Sequence, residues 1–145
     1  MSSIEFNFED IQPFKFHEKL IKNHINDLIK NEQKKRGELT FIFCSDEYLL
    51  EMNKQYLDHD YYTDIITFDY VENNIVSGDL FISIDRIKEN AQKFNIEFLK
   101  ELYRVVFHGV LHLVGYNDKT DEEQKVMTEK ENFYLSEVDF SGIEL

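Results

Sequence analysis

The chain has 145 residues, 42% of them hydrophobic, which is typical of one folded domain with its own core. The single cysteine, Cys44, has no partner for a disulfide or for a cysteine-ligated metal site, so we expect a reducing, cytoplasmic environment. The sequence starts without a signal segment, and no run approaches the roughly 18 apolar residues of a membrane span. We therefore expect neither secretion nor membrane insertion.

The charge is strongly negative but unevenly distributed. A formal net charge of −13 opposes nonspecific binding to a polyanion, because attraction to phosphates requires clustered lysine and arginine. One early segment nevertheless holds seven of the 16 basic residues: Lys15, Lys19, Lys22, Lys30, Lys34, Lys35 and Arg36. The solvated side of an amphipathic helix is the simpler interpretation, and a local basic face that binds nucleic acid is the alternative.

Strand and helix patterns alternate at the start of the chain. Residues 4–8 alternate apolar and polar side chains, which is the period of a half-buried strand. After Pro13, apolar residues at helical spacing predict a long first helix that ends near Gly37. The apolar run 39–44 then predicts a buried strand.

The middle of the chain predicts a helix and a hairpin. Ser45 is placed to cap a second helix that extends to about Tyr56. Residues 64–70 and 76–84 predict two strands, and the asparagines of the segment 72–74 tolerate the left-handed backbone of a tight turn. We expect these strands to pair antiparallel.

Three more helices are predicted in the last third of the chain. Asp85 is placed to cap a helix through about Phe94, and a second helix covers 96–114 with Gly115 at its end. A third covers 121–137, and the residues after it resemble a loose tail. No linker or repeat interrupts the sequence, so residues 1–145 predict a single α+β domain with a four-stranded sheet and about five helices.

The C-terminal half contains a pattern that indicates a metal site. His108 and His112 stand one helical turn apart on one face, so both imidazoles can reach a single ion. Gly115 can end the helix in a left-handed conformation, after which the chain can return Asp118 towards the histidines. Two nitrogens and one oxygen leave a tetrahedral position open, as in a catalytic zinc site. Two ordinary hydrogen-bonded helix histidines are the alternative.

Three sequence blocks are informative together: 63–68 (TDIITF), 78–83 (GDLFIS) and 108–118 (HGVLHLVGYND). In order and spacing they resemble the TDVLSF, GDIxIS and HGxLHLxGYDH motifs of the YbeY family, the bacterial endoribonucleases or rRNA maturation factors. The resemblance covers nearly the whole chain.

This resemblance implies a zincin-like α+β fold with a mixed sheet and its metal site on the helix that ends at Gly115. It implies one zinc ion held by His108, His112 and Asp118, and a metal-dependent endoribonuclease that cuts single-stranded RNA in rRNA maturation and ribosome quality control. The implied partners are rRNA precursors and small-subunit ribosomal proteins or assembly factors.

Two departures from the family pattern concern the chemistry. Asp118 stands where the family usually has histidine, so a bound water should be less acidic and manganese is possible besides zinc. Leu57 stands where the family usually has an arginine, which affects phosphate binding. Arg104, one turn before His108, can replace that arginine or can instead pair with Glu101.

The general base is a further catalytic role. Asp64 is a candidate, because its block lies near the site in the family.

A metalloprotease is a rival enzyme class, but such enzymes place a glutamate after the first histidine, where this chain has Gly109. We expect the role of Gly109 to be packing. The alternative outside enzymes is a non-catalytic ribosome assembly factor that is braced by the metal.

Other candidate residues receive structural interpretations. We expect Cys44 to be a small core residue, and we expect the tyrosines at positions 56, 61 and 62 to pack rather than to stack on bases. The remaining histidines, His17, His24 and His59, are expected at the surface or its border.

Overall fold

The computed structural model describes residues 3–59 and 61–142. In this part of the chain, four strands and five helices form an α+β protein, as predicted. The elements are β1 (Ile4–Phe8), α1 (Glu18–Asn31), β2 (Lys35–Cys44), α2 (Asp46–Leu57), β3 (Ile65–Asp69), β4 (Ile75–Ser83), α3 (Ile84–Lys93), α4 (Phe98–Val114), α5 (Asp121–Ser136) and a final 3-10 turn (Phe140–Gly142). Among these helices, none is long and apolar enough to cross a bilayer.

The sheet is mixed and has the strand order β1-β2-β4-β3. Strand β2 pairs parallel with both β1 and β4, whereas β3 pairs antiparallel with β4. The predicted hairpin is therefore confirmed. Its turn is closed by a bridge between Glu72 and Ile75 and contains Asn73 with a φ of 56°, a left-handed conformation that asparagine tolerates.

Both faces of the sheet are covered, which explains why β2 is apolar at nearly every position of its second half. The main core lies between the sheet and helices α1, α4 and α5, and it contains the fully buried rings of Phe41 and Phe43. A smaller cluster on α2 packs Leu49 against Cys44 and Ile66. The burial of Cys44 confirms its predicted place in the core.

Helix α4 approaches the sheet closely at Gly109. A Cβ atom on this glycine would lie 2.5 Å from Leu80 Cδ2 and 2.7 Å from Ile65 Cδ1. The predicted packing role of Gly109 is thus confirmed, and a side chain at this position would point at the sheet. The close approach also places the neighbouring His108 beside the start of β3.

The first helix is shorter than the sequence pattern predicts. It ends at Asn31, not near Gly37, because Gln33 adopts a left-handed φ of 63° and the chain then enters β2 at Lys35. Pairing with β4 overrides the helical pattern here, and Gly37 lies so close to Ser77 that a Cβ would clash with it. The basic segment is therefore divided between a helix and a strand, so it does not form one helical face.

The cap of α3 also differs from the prediction. Ser83, not Asp85, is the N-cap, and its hydroxyl accepts a hydrogen bond from the Arg86 backbone N–H at 3.2 Å. The Asp85 carboxylate instead accepts from the backbone N–H of Asp46 at 2.8 Å, at the start of α2. Asp85 thus joins the first turns of two helices rather than capping its own.

The segment after α5 is packed as far as it is described, which corrects the predicted loose tail. Val138 is buried, and the Phe140 ring packs edge-to-face on Tyr103 with centroids 5.2 Å apart. Apolar contact with the main core explains this order. Residues 143–145, the end of the predicted tail, lie outside the described residues.

Candidate metal centre and its cavities

The three predicted ligands come together at the C-terminal end of α4. Gly115 ends the helix with a φ of 120°, as predicted, and the following loop returns Asp118 to the histidines. Asp118 Oδ2 lies 3.2 Å from His108 Nε2 and 3.3 Å from His112 Nε2. One ligand atom from each residue lies within 4.8 Å of the others, so the cluster could hold a metal ion.

A buried carboxylate that the sequence reasoning missed supports the first histidine. Glu131 on α5 has a side chain only 7% exposed, and its Oε2 accepts a hydrogen bond from His108 Nδ1 at 2.6 Å. Burial alone would lower the pKa of His108, but the hydrogen bond and charge of Glu131 outweigh it and raise this pKa. The available signal was position 131 on the apolar face of α5, among Met127, Tyr134 and Leu135.

The donor set fits a cation. The Glu131 carboxylate can only accept a hydrogen bond, so a neutral His108 must carry its proton on Nδ1. The other ring nitrogen, Nε2, then has a free lone pair. Asp118 Oδ2 then lies 3.2 Å from this nitrogen and 3.3 Å from His112 Nε2. Acceptor atoms at this separation repel unless a proton or a metal ion lies between them, and nitrogen and carboxylate oxygen are ordinary zinc ligands.

The loop that carries Asp118 is anchored by a second carboxylate. The Tyr116 hydroxyl donates to Glu32 Oε1 at 2.6 Å, and the Tyr134 hydroxyl and Lys130 Nζ donate to Glu32 Oε2, the lysine at 3.2 Å. Burial alone would raise the pKa of Glu32, but these hydrogen bonds outweigh it and lower the pKa below its ordinary value of 4.5. The anchored loop therefore depends on an ionised Glu32.

This anchor gives a pH-dependent prediction. Because the pKa of Glu32 is lowered by folding, its ionised form stabilises the protein above the ordinary carboxyl pKa, and this stability is lost as the pH falls. We expect Glu32→Gln to lower the free energy of unfolding of metal-free protein by about 1–2 kcal/mol at about pH 7. The deficit should begin to narrow at about pH 4, below the ordinary carboxyl pKa of 4.5, because the unfolded chain takes up a proton at Glu32 there and the ionised form then stabilises the fold less.

Denaturant titrations at the two pH values measure this difference. Glu38→Gln serves as the control, because Glu38 is an exposed carboxylate on β2 and its loss should change stability little at either pH. A deficit for Glu32→Gln that stays constant between the two pH values would show that its charge does not stabilise the loop.

Arg104 is held by two buried acids. Its Nη1 donates to Glu131 Oε1 at 3.2 Å, and its Nε lies 3.0 Å from Glu101 Oε1, an ion-pair distance without hydrogen-bond alignment. The predicted alternative, pairing with Glu101, is therefore what the structure shows. About a third of the Arg104 side chain stays exposed.

Two cavities adjoin the cluster, and both are lined by Asp64, His108 and Asp118. The first has a volume of about 420 Å³ and extends along β3 past Thr67. The second has a volume of about 500 Å³ and extends past Arg104 towards α3. Burial raises the pKa of Asp64, and the nearby His108 opposes this shift only in part. Asp64 thus reaches the site as expected from its sequence block.

Other candidate residues lie elsewhere on the surface. The tyrosines at positions 56, 61 and 62 are exposed, but each ring contacts another side chain of the protein, as their predicted packing role requires. The contacts are with Phe68, His59 and Arg86, respectively. None of the three tyrosines, nor Leu57, is among the described residues that line the two cavities. His17 and His59 are exposed and His24 is half-buried, which confirms their predicted surface or border positions.

Comparison with known proteins identifies close relatives of the chain. Residues 4–139 match the family model described as Endoribonuclease YbeY. Endoribonuclease YbeY of Parabacteroides distasonis is 49% identical over 134 residues, which cover 92% of this chain and 94% of that protein. The Bacteroides fragilis protein of the same name is 55% identical over 104 residues, 72% of this chain and 75% of its own.

The fold also matches a solved structure. The solution structure of TM1509 from Thermotoga maritima aligns with a TM-score of 0.65 and 29% sequence identity. The alignment covers 98% of this chain and 100% of that one. The similarity therefore extends over nearly the whole chain.

Proposed function

This chain belongs to the endoribonuclease YbeY family, and from that premise we propose that it is a metal-dependent endoribonuclease that cleaves single-stranded RNA. The observation that carries the proposal is the convergence of His108 Nε2, His112 Nε2 and Asp118 Oδ2 between two cavities. We propose one zinc ion, with manganese as an alternative, on a zincin-like fold whose metal site lies on the helix that ends at Gly115.

The proposed chemistry assigns separate roles to the residues. His108, His112 and Asp118 would hold the ion, which supplies Lewis-acid stabilisation of a phosphate oxygen and lowers the pKa of water. Glu131 holds the His108 imidazole in the orientation that presents Nε2. Asp64 is the proposed general base, because its raised pKa suits proton transfer and its carboxyl lines both cavities.

Arg104 has a limited proposed role towards phosphate. Two carboxylates already neutralise the charge of its guanidinium. The exposed part of the Arg104 side chain lines the second cavity and can donate a hydrogen bond to a phosphate oxygen. This balance of charge also supports a second candidate function, a non-catalytic assembly factor braced by the metal. Weak attraction for phosphate at the site means that partners would have to deliver the RNA.

We place this activity in rRNA maturation and ribosome quality control in the cytoplasm. The proposed substrates are rRNA precursors, and the proposed partners are small-subunit ribosomal proteins or assembly factors. The supporting observations are the family membership and the net charge of −13, which favours delivery of RNA by other proteins over nonspecific capture.

Metal removal tests the enzyme proposal. Protein purified without a tag or chelator should contain near-stoichiometric zinc or manganese by elemental mass spectrometry and should cleave unstructured RNA. Chelation should abolish cleavage, and adding back either metal should restore it. Undiminished cleavage by metal-free protein would contradict the mechanism. A metal-loaded protein that leaves RNA intact would favour the assembly factor, and one that cleaves an unstructured peptide instead would favour a protease.

A further inference from the structure

Phe94 is an exposed aromatic side chain at the border of the proposed active site. It is the C-cap residue of α3, and 57% of its surface is accessible. It lines the second cavity together with His108 and Asp118. Among the described residues that line this cavity, it is the only phenylalanine, tyrosine or tryptophan. An exposed ring that faces a polar cavity, rather than the core, is available to a ligand.

The two cavities suggest a path for an extended ligand. They share Asp64, His108 and Asp118, so the candidate metal centre lies between them. Their volumes of about 420 and 500 Å³ fall within the roughly 300–1,000 Å³ range of ligand sites. A strand whose scissile phosphate lies at the metal centre would therefore place one flanking nucleotide in each cavity.

The charges of the second cavity disfavour binding through phosphates alone. Its lining includes four carboxylates and one cation, Arg104, which already pairs with two of them. The carboxylates are those of Asp64, Glu101, Asp118 and Glu131. A polyanion therefore gains little from ion pairs at this point. Stacking of a base on an aromatic ring carries no net charge, so it can supply affinity where phosphate contacts cannot.

We propose that Phe94 is a stacking platform for one unpaired base of single-stranded RNA, on the second-cavity side of the cleavage site. Lys93 is exposed, and its Nζ lies 5.6 Å from the centroid of the Phe94 ring. In the proposed complex, Lys93 forms an ion pair with the phosphate next to the stacked base. This inference rests on the proposed function and adds the contact that selects the substrate. A base inside a duplex has both faces covered by neighbouring bases, so the platform favours unpaired segments.

The absence of tryptophan from the sequence permits a direct test. Phe94→Trp introduces a single indole, whose fluorescence should be quenched saturably by a 2′-O-methyl single strand of about ten nucleotides, checked for intactness after the titration. A duplex of the same sequence should not quench it. Phe133→Trp is the matched control, because Phe133 is 49% exposed but lies on α5 and lines neither of the two cavities; its fluorescence should not change.

Truncation of the ring should weaken binding without slowing the chemical step. We expect Phe94→Ala to raise the Kd for the same single strand about 5- to 100-fold, and Phe94→Tyr to bind like the wild type. With cleavable RNA, Phe94→Ala should raise KM and leave kcat nearly unchanged, because stacking is the same in the ground state and the transition state. Phe133→Ala should change neither.

The outcomes separate this inference from the nuclease proposal. Saturable quenching of Phe94→Trp by a single strand, with no cleavage by the wild type, would support the platform and contradict the nuclease. Cleavage by the wild type with no quenching, or with an unchanged Kd and KM in Phe94→Ala, would overturn the platform and leave the nuclease intact. Equal quenching by single strand and duplex would overturn the selection of unpaired bases.

Discussion

Replacing His108 with alanine is expected to lower kcat/KM for RNA cleavage by at least about a thousandfold, because several kcal/mol of metal-derived stabilisation of the transition state is lost. The variant should also lose the bound metal, since only His112 and Asp118 of the cluster remain. It should stay folded but become less stable by about 1–3 kcal/mol, because Glu131 Oε2 loses its 2.6 Å hydrogen bond to His108 while it remains buried.

His24→Ala is the matched control for this variant. His24 is also half-buried on a helix, and its ring contacts Tyr103 rather than the cluster, so metal content and cleavage should be unchanged. Elemental analysis, initial rates and unfolding with and without added zinc give three separate measurements. Zinc should raise the unfolding midpoint of metal-free wild type but not that of His108→Ala. A variant that keeps more than about a tenth of the wild-type rate would place catalysis elsewhere.

Local patterns in the sequence were sufficient for most elements of the fold. The alternation at residues 4–8, the Ser45 cap and the asparagine turn at 72–74 each depend on neighbours in the chain, so they could be predicted. The first helix was predicted too long because Lys35 and Arg36 pair with residues of β4 that lie 40 positions later in the chain, Ile75 and Val76. Pairing at that distance has no local signal.

The same distinction holds for the candidate metal centre. His108, His112 and Asp118 lie within eleven residues, and helix geometry with one glycine stop is enough to bring them together. Glu131 comes from the next helix, and its contact with His108 depends on how α5 packs against α4. The only sign of Glu131 in the local sequence is a carboxylate on an apolar helix face, and a carboxylate buried in this way usually has a hydrogen-bond or ion-pair partner.

Exposure was the property that the sequence predicted least well. The tyrosines at positions 56, 61 and 62 and the ring of Phe94 are all exposed, although aromatic side chains usually favour burial. Their positions depend on where the sheet and helices leave open surface, which no spacing rule describes. The cavity beside Phe94 therefore became apparent only from the three-dimensional arrangement.

Glu131→Gln is expected to weaken metal affinity by about 10- to 100-fold although glutamine has nearly the same shape. Glu131 accepts two hydrogen bonds, from His108 Nδ1 at 2.6 Å and from Arg104 Nη1 at 3.2 Å, and an amide has only one oxygen. If the amide NH₂ faces His108, it donates to Nδ1 and moves the imidazole proton to Nε2, where the metal would bind. If the amide NH₂ faces Arg104 instead, it and the Arg104 Nη1 are both donors, and the hydrogen bond between these two residues is lost.

Glu101→Gln separates this effect from a general loss of stability. Glu101 is equally buried and also pairs with Arg104, but no contact between it and His108 is present among the described residues. Both variants should lower the unfolding midpoint, since each removes a buried charge from Arg104. Only Glu131→Gln should lower metal affinity, measured by competition with a zinc chelator of known affinity. Equal affinities for the two variants would mean that Glu131 supports the fold and does not orient the histidine.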